Sequence, residues 1–282
     1  MLLQLQNVSG GYGNKDVVKN VSCHAHEGEI LCLAGPNGCG KTTLFRLILG
    51  SLPLSGGHIF IDGQELSELS PRQLAGRIAY IPQYHTPIFA YTALDVVLMG
   101  RASHFSAFDA PKAVDREAAF QALETVNALE LVNQSYPALS GGQRQLILIA
   151  RAICQSAKIF VMDEPAANLD YANQQLLMEV VTGLAKKGYC IVMSTHSPEH
   201  PASIGSRVLM MKDGSVAAFG PPASVITPEN LERVYGIEMD VVAIRDRYGC
   251  SRTCRSGLRP AGNPTAYKTD TRRFLSWRAT YF

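Results

Sequence analysis

The sequence predicts an α/β fold: a mainly parallel sheet, antiparallel strands added to it, and an α-helical subdomain inserted into the core. Three observations lead there. Short, continuously apolar runs recur at residues 29–34 (EILCLA), Ile78–Ile81, Ile159–Met162, 190–193 and 208–211, the composition of strands buried on both faces. Helix-compatible segments separate several of them, including 41–50 (KTTLFRLILG), closed by a glycine, and Tyr171–Lys186. Between Pro87 and Gln155 the texture turns helical: Thr92-x-x-Asp95 opens one segment, and 113–132 runs without Gly or Pro.

The remaining elements follow in order. Met1-Leu2-Leu3-Gln4-Leu5-Gln6 alternates like a strand and lacks the charged, apolar and small-residue zones of a signal peptide. Runs 208–211 and 216–219 bracket Lys212-Asp213-Gly214-Ser215, and Asp-Gly suits the two positive-φ positions of a hairpin turn, so an antiparallel strand is expected at the sheet edge. From about Tyr248 the chain carries Gly, Pro, Arg and Thr without periodicity and closes on Phe274, Trp277, Tyr281 and Phe282, which reads as an appendage. No internal repeat is present, so one copy of the fold per chain is expected.

Composition sets outer bounds. With 282 residues, 46% of them apolar, the chain can bury a sizeable core, and it contains no apolar stretch of 18 residues that would span a membrane. Its seven cysteines (23, 32, 39, 154, 190, 250, 254) are odd in number and scattered, which points to reduced thiols and no zinc site. The net charge of +2 is unevenly placed: residues 245–282 hold nine Arg or Lys against Asp246 and Asp270, about +7, leaving about −5 on the rest. That tail reads as a solvated, disordered end, and the body offers no basic patch for nucleic acid.

The chemistry starts at Gly35-Pro36-Asn37-Gly38-Cys39-Gly40-Lys41-Thr42, which fits G-x-x-x-x-G-K-[ST] and lies between a strand and a helix. Glycines there let successive N–H groups turn inward on phosphate oxygens, and the helix adds the positive end of its dipole. Lys41 would bridge the β- and γ-phosphates of ATP, Thr42 would ligate Mg²⁺, and Thr43 would add a hydroxyl near the α-phosphate. Cys39, beside several N–H groups, is expected to have a depressed pKa and to be reactive unless ATP shields it. Strand Ile159–Met162 delivers Asp163 and Glu164 at its carboxyl end, where ligands of open α/β sheets bind. Asp163 would hold Mg²⁺ through water and Glu164 would polarise the attacking water.

Leu139-Ser140-Gly141-Gly142-Gln143 opens a helix over 144–155. Ser140-x-x-Gln143 is a capping box, and Gly141 and Gly142 expose N–H groups to an anion. A second anion site makes sense where it serves another molecule's nucleotide. This order of motifs resembles the ATP-binding subunits of ABC transporters, whose signature is the same LSGGQ, over residues 1 to about 246. The resemblance implies a P-loop NTPase (RecA-like) core of 1–86 and 156–246, the helical subdomain at 87–155, and a basic extension at 247–282. It implies a head-to-tail homodimer in which each ATP, with Mg²⁺, lies between one phosphate loop and the partner's signature. Matched residue by residue, Tyr12 would stack on adenine, Gln83 would touch Mg²⁺ or water, and His196 would contact the γ-phosphate. Asn168-Leu169-Asp170 would cross the dimer interface near the nucleotide, with Asn168 where the family more often has alanine or serine.

Asp95-Val96-Val97-Leu98-Met99-Gly100-Arg101 looks like the helical subdomain of importers for iron-siderophores, vitamin B12 and haem, a set with relatives that move molybdate or tungstate. The implied protein is therefore an ATPase held peripherally at the cytoplasmic face of the membrane by membrane-spanning permease subunits, which dock over residues 84–107, and served by an extracytoplasmic substrate-binding protein. A soluble ATPase of iron-sulfur cluster assembly is the alternative. DNA-acting relatives carry long coiled-coil insertions, and residues 43–139 hold no sustained heptads. Ribosome-acting relatives usually have two such domains per chain, and a small-molecule kinase has no need of LSGGQ.

Overall fold

The computed structural model describes residues 1–83, 89–103, 110–246 and 249–256. In chain order the elements are β1 (Leu3–Tyr12), β2 (Lys15–Ala25), β3 (Ile30–Ala34), α1 (Lys41–Ile48), β4 (Gly56–Ile61), β5 (Gln64–Glu65), α2 (Pro71–Ala75) and β6 (Ile78–Ile81). The helical stretch follows as α3 (Ala93–Leu98), α4 (Ala113–Thr125) and α5 (Gly141–Cys154). Then come β7 (Ile159–Met162), α6 (Tyr171–Lys186), β8 (Cys190–Thr195), α7 (Glu199–Ile204), β9 (Arg207–Lys212), β10 (Ser215–Gly220), α8 (Pro222–Val225), α9 (Pro228–Tyr235), β11 (Met239–Asp246) and β12 (Gly249–Ser256).

The central sheet has the order β10-β9-β3-β8-β7-β6, parallel from β9 to β6, with β10 antiparallel at the edge. Its strands β3, β7 and β8 are buried at every residue, which is why the sequence shows them as apolar runs without alternation. The β9–β10 turn places Asp213 at φ 49° and Gly214 at φ 83°, as its Asp-Gly pair leads one to expect. A second, antiparallel sheet of order β2-β1-β4-β5 lies over α1. Beyond the first six residues this sheet has little sequence signature, because register shifts along β1 break its alternation.

One apolar cluster lies between the two sheets around Leu44, Phe45 and Leu47 of α1. Another joins the opposite face of the central sheet to α3, α4, α5 and α6, so the helical stretch is seated on the core through α5. Within that stretch Thr92 and Asp95 form the expected capping box. The helix expected across 113–132 is shorter. Asn127 takes the left-handed conformation at φ 53°, and the N–H groups of Asn127 and Ala128 close back on the carbonyls of Glu124 (3.0 Å) and Leu123 (2.9 Å). That pair of bonds is a Schellman stop, for which Asn is the next choice after Gly.

Within the expected extension, residues 249–256 form β12, paired antiparallel with β11 from Asp246↔Gly249 to Met239↔Ser256. Main-chain pairing forms a hairpin that the polar sequence of this segment does not announce. The tail beyond, including Phe274, Trp277, Tyr281 and Phe282, lies outside the described residues, as do 84–88 and 104–107 of the expected docking surface.

Candidate functional site

The phosphate loop leaves β3 and enters α1, and its glycines are there for contact as well as for turning. Gly35, at φ 154°, would place a Cβ 2.4 Å from the carbonyl oxygen of Met211 and 2.8 Å from Cys39 Sγ. Gly214, on the β9–β10 turn, donates its N–H to the Cys39 carbonyl at 3.0 Å and accepts from the Lys19 N–H at 2.8 Å. The sheet edge thus braces the loop from behind. Lys41 is 5% exposed, and its Nζ donates to the carbonyls of Gly35 (2.8 Å) and Pro36 (3.1 Å).

Parallel strands β7 and β8 end beside this loop. Asp163, 4% exposed, accepts a hydrogen bond on Oδ1 from Ser194 Oγ at 2.7 Å. Glu164 draws the other groups together: Oε1 lies 3.7 Å from Lys41 Nζ, while Oε2 accepts from Gln83 Nε2 at 3.3 Å and sits 3.1 Å from His196 Nδ1. It does so from a left-handed backbone, φ 43°, a conformation uncommon outside glycine that clusters at functional sites. Asn37, Gly38, Gly40, Lys41, Thr42 and Thr43 line a cleft of about 310 Å³ with Val17, Gln83 and Glu164. Glu164 also borders a neighbouring cavity of about 440 Å³ that contains Asn168, Tyr171, His196 and His200.

Of the residues expected at the site, the structure therefore gathers Lys41, Thr42, Thr43, Gln83, Asp163, Glu164 and His196. Tyr12 does not line the cleft; it is half-exposed, accepts from Arg46 Nη1 at 2.7 Å, and has the guanidinium carbon 5.8 Å from its ring centroid. The signature is also apart from it. Ser140 caps α5, accepting from the Gln143 N–H at 3.3 Å while Gln143 Oε1 accepts from the Ser140 N–H at 2.9 Å. A Cβ on Gly142 would meet Asn173 Oδ1 at 2.5 Å, so this turn packs on the start of α6. Asp170 caps α6 through the Asn173 N–H at 2.9 Å, and that bond holds its carboxyl below the usual range. Asn168 sits at φ 61°, a left-handed position that Asn tolerates better than alanine or serine.

Cys39 requires a correction. It is 4% exposed, and burial pushes its thiol up, outweighing the pull of Lys41 and the nearby backbone N–H groups. The expected depressed pKa counted the donors and missed the desolvation. Among the described residues Cys23, Cys32, Cys39, Cys154 and Cys190 are all unbridged; the side chains of Cys250 and Cys254 lie outside the described set. The sequence reading also passed over Ser194 and Arg46, whose only signals are a hydroxyl within an apolar strand and a cation on the helix after the phosphate loop.

Comparisons with known proteins point to one family. The family model described as "ABC transporter" matches residues 18–167. An uncharacterized ABC transporter ATP-binding protein of Haemophilus influenzae is 38% identical over 83% of this chain and 89% of its own length. The hemin import ATP-binding protein HmuV of Thermobifida fusca is 35% identical over 86% of this chain and 85% of its own. Among solved structures, a chain of an ABC transporter described as of metal-chelate type, in an inward-facing conformation, superposes with a TM-score of 0.80 at 32% identity, covering 90% of this chain and 97% of that one.

Proposed function

The chain belongs to the ABC transporter ATP-binding family and is an ATPase, and from that premise we propose that it is the motor subunit of an importer for a metal chelate. In this reading two copies pack head to tail under membrane-spanning permease subunits at the cytoplasmic face, and an extracytoplasmic binding protein delivers the cargo. The observation that carries it is the convergence of Lys41, Gln83 and His196 on Glu164 at the border of a phosphate-loop cleft. The hemin and metal-chelate relatives support the cargo class. No described helix is long and apolar enough to cross a membrane, so attachment would come from the partners.

ATP would lie with its triphosphate along Gly35–Thr43, where the Lys41 ammonium and the loop N–H groups meet the β- and γ-phosphates. Thr42 hydroxyl, the Asp163 carboxylate and the Gln83 amide form an all-oxygen donor set, which suits Mg²⁺. No cluster of three or more His, Cys, Asp or Glu side chains exists among the described residues to cage a metal, and Mg²⁺ characteristically relies on one or two carboxylates plus phosphate oxygens. Bound there, Mg²⁺ would neutralise charge on the phosphates. Glu164 Oε2 would take a proton from the attacking water, and His196, across from it, would orient the γ-phosphate. Ser140–Gln143 and Asp170 do not line this cleft, which supports their use on a second copy's ATP.

Affinity purification of the tagged protein from its native membranes in mild detergent tests the importer reading. Recovery of a many-helix membrane protein, with chelated metal in the preparation, is the expected result. Recovery of soluble scaffold proteins alone would replace it with the iron-sulfur assembly reading.

A further inference from the structure

Ser194, the last but one residue of β8, is fully buried and stands beside the end of β7 because the two strands pair in parallel up to Met162↔Met193. Its hydroxyl makes two short hydrogen bonds. It donates to Asp163 Oδ1 at 2.7 Å and accepts from the Glu164 N–H at 2.8 Å. The roles are unambiguous: a backbone N–H can only donate, so the hydroxyl proton is left to point at the carboxylate. The bond donated to the Asp163 carboxylate is charge-assisted, hence the stronger kind.

From this arrangement we infer that Ser194 is a positioning residue that sets both acids of the site at once. With Oδ1 engaged, the Asp163 carboxylate cannot rotate freely, and its second oxygen keeps one direction. Capturing the Glu164 N–H supports the left-handed backbone, φ 43°, from which Oε1 and Oε2 reach Lys41, Gln83 and His196. A carbonyl could satisfy only the N–H; satisfying an N–H and a carboxylate together takes a group that both donates and accepts, and the Ser194 hydroxyl is one fixed in place by its own strand. His196 lies two residues further along the same chain, so displacement of the β8 end moves His196, Asp163 and Glu164 as one unit.

The inference rests on the reading that Asp163 faces the metal, and the test separates the two. Full-length wild type, Ser194→Ala and Asp163→Asn are titrated with Mn²⁺ by electron paramagnetic resonance in the presence of a non-hydrolysable ATP analogue. Metal-free analogue affinity in EDTA, kcat and thermal unfolding are measured alongside. Ser194→Ala should weaken Mn²⁺ binding and lower kcat by roughly tenfold or more each, as for loss of a bond to a charged group, with the EDTA affinity unchanged. Wild-type Mn²⁺ affinity in Ser194→Ala overturns the inference, and so does an equal loss of metal-free analogue binding, which marks a purely structural role. Wild-type Mn²⁺ affinity in Asp163→Asn instead removes the metal reading itself.

Discussion

Glu164 has three polar partners and an uncommon backbone angle, and each bears on what its replacement should do. Glu164→Gln keeps the shape of the side chain and removes the proton acceptor, so hydrolysis should slow on the order of 10²- to 10⁴-fold. Nucleotide affinity should persist, since Lys41 is held by the loop's own carbonyls as well as lying near this carboxylate. Single-turnover phosphate release and equilibrium binding of a fluorescent ATP analogue separate the two effects. Cys39 belongs to the same scale. Its raised pKa leaves little thiolate near neutral pH, so a maleimide should modify it slowly with or without Mg-ATP and rapidly only after unfolding. Peptide mass mapping over a time course reads this directly, and rapid labelling of the native protein, blocked by nucleotide, would restore the accessible-thiolate picture.

At the scale of elements, the site depends on contacts between pieces far apart in sequence. The β9–β10 turn touches the phosphate loop through Gly214 and Cys39, and a Cβ at Gly214 would lie 1.9 Å from the Val17 carbonyl oxygen. Gly214→Ala should therefore cost more than the ~1–3 kcal/mol of a strained positive-φ residue, since the turn must also move. ATP affinity should fall with it because the brace behind Cys39 shifts. Denaturant titration and nucleotide binding check both, and a variant losing stability but binding ATP normally would show that the brace is dispensable. Helix α5 illustrates the converse, an element legible from its ends. Ser140 and Gln143 announce its start, while its burial against the central sheet accounts for the apolar run that follows.

For the molecule as a whole, three buried thiols on β2, β3 and β8 link stability to pH. Burial raises Cys23, Cys32 and Cys190 from 9.0 to about 12 each. In the unfolded chain these groups ionise near their ordinary value, so between about pH 9 and 12 the unfolded state binds fewer protons than the folded one. Their contribution to stability is complete below that window and is lost as pH rises through it. Guanidinium melts at about pH 8 and about pH 10.5 should show the decline, and a Cys23→Ala, Cys190→Ala variant should show a shallower one. What the sequence by itself determined follows from local patterns: the buried strands are apolar runs, the phosphate loop and the LSGGQ turn are contiguous, and Asp213-Gly214 dictates its own turn. Desolvation, strand adjacency and pairing register depend on residues far away, and only the tertiary structure decided those. That is why burial, not the nearby N–H groups, governs Cys39, why Ser194 joins two acids 30 and 31 positions away, and why β12 pairs with β11.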